Sequence, residues 1–288
     1  MKKRFYSNGN REGEESMTKF IDSPYVQKLA KITYRLYKHG WNERNGGNIS
    51  CLLTREEISE YEDVHTVSRT IPLNFDAQKL AGKYFLVTGS GKYFKNIIDY
   101  PERDTGLVRI TEDGGHAEIV WGFNDGGVPT SEFPTHLMGH MARLNVDRDH
   151  RVIMHCHPTN LIAMTFTCDL DEKVFTRILW KMQTESIVVF PEGIGVIPWM
   201  VPGTTEIGEV TSEKLLEFRA VVWPHHGLFA AGTTIDDAFG LIETIEKAAE
   251  IWNIIQSTGR AIKQEITDQQ LKDLSVAFNV FPRKGFLD

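Results

Sequence analysis

Apolar positions along this chain switch repeatedly between a helical and a strand period, and that alternation points to a layered α/β fold. Val26, Leu29, Ile32 (or Thr33) and Leu36 recur at helical spacing. Ser23 stands where a cap is needed, Pro24 suits a first turn and Gly40 follows, so a helix is expected from Pro24 to Lys38. A strand is expected at 49–53, and the polar stretch 54–70 reads as an insertion. Tyr84-Phe85-Leu86-Val87 and runs near 107–111 and 117–122 read as strands, the last two joined by the turn Glu112-Asp113-Gly114-Gly115. Thr130-Ser131-Glu132 opens a helix to about Leu144, with Pro134 tolerated in its first turn.

Beyond it the pattern predicts a strand at 151–157, a helix near 171–182, a strand at 186–190, a helix over 205–218 and strands near 220–225 and 227–230. A last helix runs from Thr234 to about Gln256 with the stripe Ile235, Ala238, Ile242, Ile245, Ala249 and Trp252, and Thr233 with Asp236 fits a capping pattern. No repeat, low-complexity tract or interdomain linker interrupts the order. The expectation is one sheet with helices on both faces.

Composition narrows the partners. The 288 residues, 41% apolar and 25% charged, suffice for a full core. A net charge of -7 argues against nucleic acid as a main partner, though it leaves room for a small phosphorylated substrate held by neutral loops. Cys51, Cys156 and Cys168 cannot all pair and form no CxxC, which favours a reducing, cytoplasmic setting. No run approaches the roughly 18 apolar residues of a membrane span, and Met1-Lys2-Lys3-Arg4 is not followed by the apolar core of a secretory signal. Residues 1–16 read as a flexible extension, and Met17 is an alternative start.

The chemistry concentrates at His155-Cys156-His157, which ends the apolar run Val152-Ile153-Met154 before Pro158. Alternation along a strand places both imidazoles on one face and Cys156 on the other. Two neutral imidazoles so close can chelate a borderline divalent cation. A second apolar run, Ala220-Val221-Val222-Trp223-Pro224, ends in His225-His226-Gly227. A third imidazole from there matches a catalytic zinc site with one position left for water or substrate. Spacing leaves His225 and His226 as alternatives. Glu132, His136 and His140 form a stripe on one helical face and are the rival metal cluster, against plain packing or hydrogen bonding. His39, His65, His116 and His150 read as ordinary histidines.

Two Gly-rich loops, Asn45-Gly46-Gly47-Asn48 and Thr88-Gly89-Ser90-Gly91, adjoin expected strands and can present amides to an anion, unless they are plain turns. Thr130 and Ser131 offer hydroxyls at a helix start, as caps or as anion ligands. Gly89-Ser90-Gly91-Lys92 is not a nucleoside-triphosphate loop, because Tyr93 replaces the hydroxyl residue that would hold magnesium and the upstream glycine is missing.

Taken in order, Gly40 to Asn48, Val87 to Lys92, Val128 to Glu132, Arg151 to His157 with Thr159-Asn160, Phe190-Pro191, Pro198 to Thr204, and Trp223-Pro224 with His226-Gly227 resemble the class II aldolase and adducin-head family. The resemblance runs from about residue 20 nearly to the end. It implies a single three-layer α/β/α domain over 17–288 with a largely antiparallel central sheet, assembled as a homotetramer with active sites at subunit interfaces. It further implies one zinc ion per subunit held by His155, His157 and His226, with Glu132 as acid/base in the metal-stabilised cleavage of a phosphorylated ketose. By the same resemblance Asn45, Gly47, Asn48, Ser90, Gly91, Thr130 and Ser131 bind substrate and phosphate, and Glu185 reaches a neighbouring subunit's site. Sister enzymes acting on other sugar phosphates share such a metal site. A non-catalytic scaffold like the adducin head is the reading from another class, and intact ligands with an intact Glu132 argue against it.

Overall fold

The computed structural model describes residues 18–287, so the expected extension at 1–16 lies outside the described residues. Helix α1 (Pro24–Lys38) forms where its spacing places it: the Ser23 side chain accepts the Val26 N–H, and Val26, Leu29, Ile32, Thr33 and Leu36 are buried. It leads into β1 (Asn48–Leu53), every residue of which is buried, as a strand covered on both faces must be. The stretch 54–70 is more than an insertion. Helix α2 (Arg55–Ile58) closes a capping box between Thr54 and Glu57, and β2 (Arg69–Pro72) pairs at the sheet edge, where a proline is tolerated.

Strands β3 (Tyr84–Thr88), β4 (Thr105–Ile110), β5 (His116–Gly122), β6 (Val152–Cys156), β7 (Gly195–Val196), β8 (Ala220–Trp223) and β9 (Gly227–Gly232) complete a nine-stranded sheet ordered β2-β5-β4-β3-β1-β6-β9-β8-β7. Its neighbours pair antiparallel except β7 with β8. Short helices α3 (Phe94–Ile97) and α4 (Pro101–Asp104) link β3 to β4. Helices α5 (Phe133–Val146), α6 (Thr159–Met164), α7 (Glu172–Met182), α8 (Ser186–Val189), α9 (Thr205–Leu215), α10 (Ile235–Ser257) and α11 (Asp268–Ala277) supply most of the two outer layers.

The period-2 alternation of the central strands sorts the core. Ile49, Cys51, Met154, Cys156, Leu228 and Ala230 face a cluster built with α1, α7 and α10. Leu52, Ile153, Phe229 and Ala231 face the other side, beneath α5 and α9. The three-layer α/β/α arrangement with a largely antiparallel sheet is therefore as expected.

Three local expectations are corrected. The run Ser186–Val189 is one helical turn, not a strand: it packs on α7, α10 and α11, while Gly195–Val196 takes the place beside β8. Tertiary packing overrides the strand preference of its β-branched residues. The last helix is capped one residue later than its sequence suggested, with Thr234 accepting the Asp237 N–H, while Asp236 is free to pair with Lys28 at 2.6 Å. The helix near Thr130 begins at Phe133, which leaves Glu132 at the capping position with φ -90° and ψ 8°.

Candidate active site

His155 is the fourth residue of β6, and His157 stands just past its end, its N–H bonded to the Trp41 carbonyl at 2.8 Å. The β8–β9 connection brings the third imidazole. His225 takes a left-handed φ of 60° and turns to Thr165, whose hydroxyl lies 3.1 Å from the His225 N–H and 3.0 Å from its Nδ1. That leaves His226 to face the other two rings, at centroid distances of 4.9 Å from His155 and 5.0 Å from His157. One nitrogen from each of His155, His157 and His226 lies within 4.8 Å of the others. The choice that spacing left open thus falls to His226.

Hydrogen bonds fix which nitrogen of His155 and His157 faces the cluster. His155 Nδ1 lies 3.0 Å from the Leu228 carbonyl, which can only accept, so Nδ1 carries the proton. His157 Nδ1 donates to the Glu43 carboxylate at 2.9 Å. Both Nε2 atoms are left facing the cluster, buried and without a hydrogen-bond partner. Burial, reinforced by His226 and His157, holds the His155 pKa well below the ordinary value, and burial with His157 lowers His226 to about 4. Two imidazoles oriented through Nδ1, with a third nitrogen from His226 converging on them, fit a divalent metal.

Three glycines let the backbone close around this cluster. A Cβ on Gly46 would sit 2.7 Å from His157 Cε1, and one on Gly227 would sit 2.3 Å from the Cys156 carbonyl and about 3 Å from both imidazoles. Gly47 combines φ +77° with only 1.9 Å of space before Asn42 Nδ2. Gly47→Ala is therefore expected to cost about 1–3 kcal/mol of stability and to weaken metal retention. Thermal unfolding with and without added metal checks this, and an unchanged midpoint and metal content would count against the cradle.

Glu132 is buried beside the cluster. Its Oε2 accepts from Asn48 Nδ2 at 2.8 Å and lies 3.7 Å from His155 Nε2. Burial raises its pKa above the ordinary carboxylate value, against the opposing Asn48 bond and His157. His136 and His140 do not form a metal cluster with it: both rings hydrogen-bond to Ser50 Oγ on β1, at 2.7 and 2.8 Å.

The expected anion-binding segments meet around Glu132. Ser90 N–H reaches the Val128 carbonyl at 2.9 Å, Thr130 N–H the Thr88 carbonyl at 3.0 Å, and Ile49 N–H the Thr88 hydroxyl at 3.1 Å. Asn48 and Thr130 are buried, whereas Asn45, Ser90, Gly91 and Ser131 are exposed. Lys92, beside this loop, is engaged by Asp104 at 3.4 Å and by Asp125, so the loop presents neutral donors. Glu185 stands apart, exposed at the start of α8, with no contact to the histidines among the described residues. Sequence reasoning assigned no role to Glu43 or Ser50. Glu43 lies in the Gly40–Asn48 stretch already singled out, but nothing local tells that its partner is His157.

The model of the Class II Aldolase and Adducin N-terminal domain matches residues 27–253. A rhamnulose-1-phosphate aldolase of Listeria monocytogenes serovar 1/2a is 58% identical over 94% of this chain and 100% of its own length. One of Enterococcus faecalis is 53% identical over 93% and 96%. The crystal structure of a sugar-phosphate aldolase from Thermotoga maritima superposes with a TM-score of 0.70 at 31% identity, covering 83% of this chain and 97% of that one. With the sheet, the histidine cluster and the buried glutamate in place, the chain belongs to the class II aldolase and adducin family.

Proposed function

We propose that this protein is a zinc-dependent aldolase that cleaves L-rhamnulose 1-phosphate to dihydroxyacetone phosphate and L-lactaldehyde, a step of rhamnose catabolism. The observation that carries the reading is the pair of orphaned Nε2 atoms on His155 and His157, joined by His226 and flanked at 3.7 Å by buried Glu132. The names of the relatives above supply the substrate. Zinc bound by these three histidines would supply Lewis-acid stabilisation of the negative charge that C–C cleavage leaves on the dihydroxyacetone phosphate half.

The remaining work falls to the chain. Glu132 returns a proton to the dihydroxyacetone phosphate carbon in cleavage and removes it in condensation, and the burial that raises its pKa makes it a better proton acceptor than an exposed carboxylate. Asn45, Gly47, Asn48, Ser90, Gly91, Thr130 and Ser131 hold the ketose and its phosphate through neutral donors and keep the reacting carbons over the histidines. Glu185, remote from its own cluster, would serve a neighbouring subunit's site in a homotetramer. Residues 17–288 act as one catalytic domain, and the unpaired cysteines fit a cytoplasmic enzyme. No helix among the described residues is long and apolar enough to cross a membrane.

The test is incubation with L-rhamnulose 1-phosphate and, separately, L-fuculose 1-phosphate, measuring dihydroxyacetone phosphate with and without a chelator. Release from the rhamnulose ester, abolished by chelation and restored by zinc, is expected. Preference for the fuculose ester would move the protein to a sister activity, and chelator-resistant cleavage would remove the metal from the mechanism.

A further inference from the structure

We propose that Ser50, His136 and His140 are positioning residues of the reaction, forming a one-way hydrogen-bond relay that fixes the Asn48 carboxamide so that its nitrogen faces Glu132. The proposal rests on the reading of Glu132 as the proton-transfer group. The relay begins at that carboxylate. In its carboxylate form Glu132 accepts at Oε2 from the amide nitrogen of Asn48 and not from its oxygen, so Nδ2 is the atom at 2.8 Å and Oδ1 points the other way. Oδ1 meets His136 Nε2 at 2.5 Å, and an amide oxygen only accepts, so Nε2 carries the His136 proton. His136 Nδ1 is then an acceptor, and the Ser50 hydroxyl at 2.7 Å must donate to it. With its proton so committed, Ser50 Oγ accepts from His140 Nε2 at 2.8 Å. Each bond dictates the next, and reversing any one sets two donors or two acceptors against each other.

The far end has no partner that would oppose this polarity. His140 Nδ1 must be a bare lone pair, and it is buried with no partner. Every member of the relay is buried, Ser50, His136 and His140 completely so. Burial keeps both imidazoles neutral, His136 well below its ordinary pKa and His140 lowered to about 3, so neither ring can donate from both nitrogens. Packing surrounds the rings, with Phe85 4.9 Å from His140 and Phe229 5.3 Å from His136. Two apolar rings would fill the same space without leaving an orphan. What apolar rings cannot do is tell Asn48 which way to face, and a flipped Asn48 would turn its oxygen on the Glu132 carboxylate.

The test uses the metal-loaded full-length enzyme and the variants Ser50→Ala, Glu132→Gln and their combination. Ser50→Ala is expected to lower kcat roughly ten- to a hundredfold, the order that misplacement of a reacting group costs. KM should change by less than about threefold, with bound metal unaltered. In the Glu132→Gln background, Ser50→Ala should cause no further loss of the residual rate, because the relay acts only through Glu132. An equal loss in both backgrounds would overturn the proposal, as would a Ser50→Ala enzyme of normal kcat beside an inactive Glu132→Gln. Near-normal turnover by Glu132→Gln alone would instead remove the acid/base reading on which the relay depends. Nitrogen-15 spectra of the wild-type histidines decide the matter even if Ser50→Ala does not fold. His136 should be protonated at Nε2 with Nδ1 bare, and the opposite tautomer would refute the relay.

Discussion

Glu132→Gln is expected to bind metal as the parent does and to lose between roughly a hundred- and ten-thousandfold in kcat, the usual contribution of a positioned acid/base, or about 3–5 kcal/mol of barrier. The substitution is close to isosteric, and its amide oxygen can still accept from Asn48 Nδ2, so the local packing is kept. What disappears is the ability to carry a proton at a position 3.7 Å from His155 Nε2. The sharpest measurement omits the aldehyde. Dihydroxyacetone phosphate incubated in heavy water should exchange a carbon-bound proton with the parent enzyme and not with the variant. Near-parental exchange would take Glu132 out of the proton transfer.

His157→Ala should lose both metal and turnover. The residue supplies one of three converging nitrogens, and alanine offers no ligand atom in its place. Losing an outer partner of a ligand typically costs 10–100-fold in metal affinity. Losing the ligand itself should exceed that, and turnover at sub-millimolar metal should fall by roughly a hundredfold or more. Elemental analysis of the purified variant gives the answer, and full metal stoichiometry would refute the ligand assignment.

Most long elements were legible because burial imposes a period: α1, α7 and α10, and strands β1, β3 and β6, lie within a residue or two of where their apolar positions placed them. Ser186–Val189 was not, since four apolar or small residues fit one helical turn as well as one strand, and only contact with α7, α10 and α11 decides. His155 and His157 were legible as a pair. His226 over His225 was not derivable from spacing, because adjacent residues in a tight connection are separated by the backbone angle of His225 and its grip on Thr165, neither of which has a local signal. The loops around Glu132 were recognisable by their residue types, but their assembly depends on backbone bonds between Thr88–Ser90 and Val128–Thr130. Glu43 and Ser50 were missed because each acts on a histidine carried by a different element.

The register of the central strands has a kinetic consequence. Asn48 lies opposite His155 across the β1–β6 pair, and Phe229 lies opposite the same histidine across β6–β9. Both pairings join segments far apart in the chain; the second must close a large loop, at an entropic cost met before any contact repays it, before His226 can meet His155 and His157. A partly folded chain therefore offers a metal ion the local pair His155 and His157 without the third imidazole. An ion that binds the complete set of three would stabilise the folded state by mass action, so metal supply is expected to set how long the folded protein survives.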